Sequence, residues 1–339
     1  MERLIAVHYY DDAPPLLKDF TLYQITIQGK SQKSAYEYFL DIRMFLRFLK
    51  IHREIVSQDI PFNEIPIDDI DADFLQKVTL TEAYAFLAYI TTERENPMRR
   101  KKGISATSRA RKVASLHMFF KYLSCKVFVL KSNPMIGLET PKKEQTMPKY
   151  LTVDESLELL RSVNGPYKER DFCILTLFLN CGLRVSELCG LNLSDIHDKQ
   201  LTVRGKGGKS RELYLNSACV DAINAYLPCR IEPKANDKDS LFISRNRNRI
   251  TKCTVELLVK KYIAAAGLDP AKYSAHKLRH TAATLMYQST GDVRVLKEVL
   301  GHSNLNTTQI YVHVNDENIK NALESNPLAN ITVNENHNP

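Results

Sequence analysis

No stretch of this 339-residue chain approaches the roughly 18 consecutive apolar residues of a membrane-spanning helix, and the opening Met1-Glu2-Arg3 lacks the profile of a secretory leader. A cytoplasmic protein with no membrane partner is the expectation. Seven cysteines occur without one C-x-x-C pair. That argues against zinc and redox spacings and leaves reduced thiols, with Cys173, Cys181 and Cys189 in or beside apolar helical patterns. Also missing is the Walker A spacing, G-x-x-x-x-G-K followed by Ser or Thr. The glycine-rich Gly205-Lys206-Gly207-Gly208-Lys209 is therefore not read as a nucleotide loop. No acidic constellation of the kind hard cations prefer is present, so no metal is expected.

What the chain does have is positive charge. Lys and Arg total 47 against 39 Asp and Glu, a formal net charge of +8. That excess suits a polyanionic partner, and its distribution says more than its sum. Arg94, Arg99, Arg100, Lys101, Lys102, Arg109, Arg111 and Lys112 are opposed within their span only by Glu95. The run enters a helix from Ser105 to about Leu123, which buries Val113, Leu116, Phe119, Phe120 and Leu123. A basic edge is left over to meet phosphates, and such contacts position a protein without reading sequence. In a later loop Arg245, Arg247 and Arg249 alternate with Asn246 and Asn248, a second candidate contact with a nucleic-acid backbone.

A hydrophobic fraction of 44% and this length suit one or two domains, each able to bury its own core. Asp11, Asp12, Pro14 and Pro15 argue for an irregular start over residues 1–30. A helix from Ser34 to about Lys50 follows, opened by a Ser34–Glu37 capping box and striped by Tyr38, Phe39, Ile42, Phe45, Leu46 and Leu49. Thr79 and Glu82 form a second capping box, for a helix to about Glu93. Pro134, Pro141 and Pro148, with lysines among them, mark a linker between about Lys131 and Lys149. Beyond it Thr152 and Glu155 cap a helix to about Val163. A nearly all-apolar helix runs from Glu169 to Asn180, and Gly182 fits the left-handed position that ends it. Gln200 to Asn216 reads as a β-hairpin, and Ser217 to Leu227 and Thr251 to Ala266 as helices. The expected division is 1–140, a linker at 141–149, a second domain at 150–323 and a tail at 324–339.

The chemistry gathers late. In Ser-Ala-His-Lys-Leu-Arg-His, from Ser274 to His280, His276 and Arg279 stand three apart and share one helix face. Leu300-Gly301-His302 follows, and Tyr311 lies nine residues beyond His302. Two imidazoles, a guanidinium and a phenol suit the holding and attacking of a phosphodiester. Arg is the planar, permanently charged partner of phosphate oxygens, His moves protons near neutral pH, and Tyr can form a covalent intermediate.

With Arg184 in Cys-Gly-Leu-Arg-Val-Ser-Glu-Leu and Lys206 in the hairpin turn, these residues resemble the tyrosine site-specific recombinase (phage integrase) family, especially its Xer-like members. The likeness runs from Met147 to about Asn321. It implies a mainly α fold with a small β-sheet: an N-terminal helical, SAM-like core-binding domain and a mixed α/β catalytic domain, joined into a clamp on duplex DNA. It also implies the catalytic set Arg184, Lys206, His276, Arg279, His302 and the nucleophile Tyr311, working through a covalent 3′-phosphotyrosyl intermediate without any cofactor. The candidate DNA contacts are Arg99, Arg100, Lys101, Lys102, Arg109, Arg111, Lys112, Lys209, Arg211, Arg245 and Arg247. The implied partners are double-stranded DNA and a homo-tetramer on paired sites, or a related recombinase. The resemblance leaves chromosome dimer resolution and mobile-element integration or excision both open. A type IB topoisomerase-like nicking enzyme and a non-catalytic sequence-specific DNA binder stay as alternatives.

Overall fold

The computed structural model describes residues 12–57, 59–93, 95–96, 101–141, 149–205 and 208–301, without the side chains of the short strands at 95–96 and 101–102. The chain divides into two compact units, Met1–Gln145 and Thr146–Pro339. Among the described residues no helix is long and apolar enough to cross a membrane.

The N-terminal unit is built from helices α1 (Pro15–Thr26), α2 (Gln32–His52), α3 (Ala72–Gln76), α4 (Leu80–Thr92) and α5 (Ala106–Cys125). Strands β1 (Glu95–Asn96) and β2 (Lys101–Lys102) pair antiparallel between α4 and α5. The irregular start expected over residues 1–30 is corrected by α1. Pro15 sits at its first turn, where a fixed φ helps and a missing N–H costs nothing. The start of α2 also shifts. Ser31, in extended conformation, accepts the Ser34 amide at 3.2 Å, so Ser34 lies inside the first turn and is not the cap. Thr79 and Glu82 do form the expected capping box of α4. Aromatic side chains fill this core. Phe20 meets Phe119 at 5.2 Å between ring centroids, and Phe45 meets Phe86 at 5.2 Å, both edge-on. Each fully buried ring contributes on the order of 2–3 kcal/mol of transfer free energy.

The C-terminal unit contains α6 (Val153–Arg161), α7 (Lys168–Cys181), α8 (Val185–Gly190), β3 (Ile196–His197), β4 (Gln200–Arg204), β5 (Ser210–Tyr214), α9 (Ser217–Tyr226), α10 (Lys252–Ala265), α11 (Ala275–Thr290) and α12 (Val293–Leu300). The expected hairpin is β4–β5, with Val203 opposite Arg211, and β3 adds a third antiparallel strand beside β4. Thr152 and Glu155 cap α6 reciprocally, as their spacing predicts. Helix α7 is the centre: Cys173, Ile174, Leu175, Leu177 and Phe178 are all buried, with α9 and α11 packed on it. The buried Tyr262 hydroxyl donates to Asn164 O at 2.8 Å and lies 2.9 Å from Asp171 Oδ2, so this deep ring keeps its polar end satisfied. Cys173, Cys181, Cys189 and Cys219 are buried free thiols, whereas Cys125, Cys229 and Cys253 are exposed.

Candidate active site

Helix α7 ends at Gly182, whose φ of 57° turns the chain sharply towards α8. Arg184 is the N-cap residue of α8. Its backbone N–H donates to Glu187 Oε2 at 2.9 Å, and its guanidinium Nη1 donates to Glu187 Oε1 at 2.6 Å. Glu187 thus holds the residue that opens its own helix. From α11, Arg279 Nη1 donates to Gly182 O at 2.6 Å and Nη2 to Leu300 O at 2.7 Å, and Nη1 lies 3.7 Å from Glu187 Oε2. The two guanidiniums expected to grip one phosphate therefore meet at one carboxylate. Arg279 is 3% exposed and Arg184 40%, so the first is fixed and the second reaches solvent.

A third guanidinium joins them. Arg211 on β5 donates from Nη1 and Nη2 to the two Glu187 oxygens at 3.1 and 3.0 Å, and from Nε to Val299 O at 2.9 Å. Burial alone would push the Glu187 carboxyl up. Hydrogen bonds from Arg211 and from the Arg184 amide outweigh it, and the group titrates below the usual carboxylate value. Two glycines make this packing possible. A Cβ on Gly182 would lie 2.8 Å from Leu300 Cδ2, and one on Gly301 would lie 3.0 Å from Arg211 Cδ.

His276 sits one turn before Arg279 on α11, exposed, with its ring 4.6 Å from that of His280 and edge-on to it. Partial burial and then the charges of Arg279, Lys277 and Arg184 hold its pKa below the ordinary histidine value. A neutral imidazole beside a cationic clamp can accept a proton or donate one hydrogen bond. Lys206, His302 and Tyr311 lie outside the described residues.

The residues expected to touch a nucleic-acid backbone divide. Lys209 and Arg245 are exposed, and Arg245 lines a cavity of about 640 Å³ with Arg170, Arg249, Thr251, Thr254 and Lys261. Arg247 is turned to Glu232, at 3.1 Å from Oε2, and Arg109 donates to Ile104 O at 3.1 Å. Lys112 departs from expectation: it is buried, with Nζ 2.6 Å from Asp41 Oδ1, because it lies on the same helix face as Leu116 and Phe119. Arg111 donates to the same carboxylate at 2.6 Å and keeps 39% of its side chain exposed. Arg211 departs as well, enclosed in the Glu187 cluster at 14% exposure. Its direction is legible, since Arg211, two residues before Leu213 and four before Leu215, shares their core-facing side of the strand. Arg99, Arg100 and the side chains of Lys101 and Lys102 lie outside the described residues. Arg249, expected with Arg245 and Arg247 to meet a nucleic-acid backbone, instead fixes the far end of α8 by donating to Cys189 O at 3.2 Å, Leu191 O at 3.0 Å and Asn192 Oδ1 at 2.7 Å.

Comparison with known proteins places this geometry. Residues 149–318 match the phage integrase family. The chain is 50% identical over 317 residues to the tyrosine recombinase XerC of Caldanaerobacter subterraneus subsp. tengcongensis, covering 93% of this chain and 88% of that one. Its fold is similar to that of the XerH site-specific recombinase bound to difH substrate in a pre-cleavage complex, at a TM-score of 0.66 and 20% identity over 91% of this chain and 84% of that one. A lambda integrase tetramer bound to a Holliday junction has a similar fold, at a TM-score of 0.60 and 20% identity over 87% and 76% of the two chains.

Proposed function

The chain belongs to the phage integrase family of tyrosine recombinases, enzymes that cleave and rejoin DNA strands at specific sites, and from that premise we propose that Tyr311 is its nucleophile. The phenol oxygen attacks the scissile phosphorus, a 3′-phosphotyrosyl bond forms, and the bond to the 5′ oxygen breaks. Arg184 and Arg279 hold the nonbridging oxygens, where charge accumulates in the transition state and fixed donors are most effective. Lys206 gives the leaving 5′ oxygen its proton. His276 and His302 hydrogen-bond the phosphate, and one of them takes the phenol proton, since a phenol of ordinary pKa, about 10, is a weak nucleophile at neutral pH. Rejoining is the reverse attack by a 5′ hydroxyl, and the phosphodiester energy stays in the covalent bond throughout.

The observation that carries this reading is the shared carboxylate. Arg184 and Arg279 lie 2.6 and 3.7 Å from Glu187, close enough to serve one phosphate. Exposed Lys209 and Arg245, with Arg109, Arg111 and Arg247, supply backbone contacts to duplex DNA. The active assembly is a tetramer on paired sites, as in the lambda integrase complex on a Holliday junction. Resolution of chromosome dimers in the cytoplasm is the role that the XerC relative favours. A suicide substrate tests the chemistry. The wild type yields a protease-sensitive protein–DNA adduct, and Tyr311→Phe binds the same DNA without forming it. An adduct of undiminished yield with Tyr311→Phe overturns the assignment.

A further inference from the structure

We infer that Arg211 is a positioning residue of the reaction, acting through Glu187 on the Arg184–Arg279 clamp, and not a contact to DNA phosphate. The inference rests on the recombinase reading above. Every nitrogen of this guanidinium has a partner: Val299 O for Nε, Glu187 Oε1 for Nη1 and Glu187 Oε2 for Nη2. Its side chain is 14% exposed, and Gly301 closes over it, with no room there for a Cβ 3.0 Å from Arg211 Cδ. Both fork nitrogens are spent on the two oxygens of one carboxylate, which leaves Arg211 no bidentate face for a DNA phosphate.

Its effect follows from charge and geometry. Glu187 is the shared carboxylate that Arg184 and Arg279 approach, so whatever engages its oxygens governs how tightly it draws on the clamp. A bidentate guanidinium matches both carboxylate oxygens and fixes the carboxylate plane. With Arg211 in place, part of the Glu187 charge is already met, and Arg184 keeps positive charge for an incoming phosphate. Without Arg211 the carboxylate turns onto Arg184 and Arg279 and competes with that phosphate. The same guanidinium, through Nε, ties β5 to Val299 near the end of α12. Strand β5, helix α8 and the end of α12 are thereby held at one point.

The test separates positioning from DNA contact. With the suicide substrate, Arg211→Gln slows single-turnover adduct formation by about 10- to 100-fold, the scale on which groups that orient a reacting ligand matter in metal centres. Its affinity for the same DNA keeps the wild-type salt dependence, whereas loss of a phosphate contact would lower the slope of log K against log salt by about 0.9. Arg211→Lys retains the charge and still slows the reaction, because an ammonium cannot span both oxygens. The double variant decides the route. In a Glu187→Gln background, Arg211→Gln costs less than about 3-fold further, since the coupling it breaks is already gone. Wild-type rates in Arg211→Gln, a reduced salt slope, or fully additive effects in the double variant each overturn the inference and leave the recombinase reading standing. A wild-type chain that forms no adduct overturns both.

Discussion

Asp41 in the N-terminal unit and Glu187 in the C-terminal unit are both buried carboxylates gripped by basic side chains, with 1% and 2% of their side-chain surface exposed. Around Asp41 stand Lys112 and Arg111, each at 2.6 Å, and Glu37 lies 3.3 Å from the same arginine. Two cations meet two carboxylates there, and Ser115 Oγ donates to Asp41 at 2.7 Å. The cluster is balanced. Around Glu187 three guanidiniums face one carboxylate, and the most exposed of them, Arg184, reaches solvent. Burial of an ion pair is common to both places. Among the described residues positive charge outnumbers negative and opens outward around Glu187 and not around Asp41, and that difference marks where an anion is to be received.

The comparison breaks or holds on a pair of substitutions with crossed effects. Arg184→Ala lowers single-turnover adduct formation by about 100- to 1,000-fold, the usual effect of deleting a donor to transition-state charge. It changes unfolding free energy by less than about 1 kcal/mol, since Arg184 is itself 40% exposed and Arg211 and Arg279 stay beside the buried Glu187. Asp41→Ala does the reverse. It leaves Lys112 buried without that carboxylate and costs about 3–5 kcal/mol in urea unfolding. Adduct formation per folded molecule at saturating DNA stays as in the wild type. If Arg184→Ala cleaves normally, or Asp41→Ala slows the chemistry while fully folded, the two clusters do not differ in the way their charge balance implies.

The same contrast explains what the sequence disclosed. Reciprocal caps at Thr79–Glu82 and Thr152–Glu155, the left-handed Gly182 and the β4–β5 hairpin depend on neighbours a few residues away, and local chemistry decides them. Helix α1 is hidden in the sequence because proline, a breaker within a helix, opens one when it stands at the first turn. Lys112 and Arg211 are charged, and residue type alone points them outward to a nucleic acid. Their spacing says otherwise: Lys112 shares a helical face with Leu116 and Phe119, and Arg211 a strand face with Leu213. Which carboxylate awaits such an inward cation depends on contacts 71 and 24 residues distant in sequence, and residue type alone does not supply them.

A smaller effect sharpens the contrast through pH. Burial and the charges of Arg279, Lys277 and Arg184 depress the His276 pKa in the folded chain. The unfolded chain, at about 6.5, therefore takes up its proton first as pH falls. The contribution of this residue to stability is full above about pH 6.5 and declines below it. Replacing His276 by Gln removes that acid-side loss. Urea midpoints of the two proteins agree at about pH 8 and diverge as pH drops below about 6.5, the wild type losing more. Adding Arg184→Ala to both removes one of the cations and narrows the divergence. A gap that stays constant across the range would mean that the surplus charge at Glu187 does not reach His276.

The smallest effect concerns the helix that carries Asp41. Ser31 Oγ accepts the Ser34 amide at 3.2 Å, and the two hydroxyls lie 2.9 Å apart. Loss of an N-cap acceptor leaves an amide without its partner, so Ser31→Ala costs about 1 kcal/mol in urea unfolding. Ser34→Ala, within the first turn, removes only a hydroxyl contact open to water and costs a few tenths of that. Neither changes adduct formation per folded molecule, because the cap serves the helix that carries the balanced cluster. Equal costs for the two serines would return the start of α2 to Ser34. A slowed reaction in Ser31→Ala would mean that the N-terminal helices tune the chemistry, and the separation between the two carboxylates would have to be redrawn.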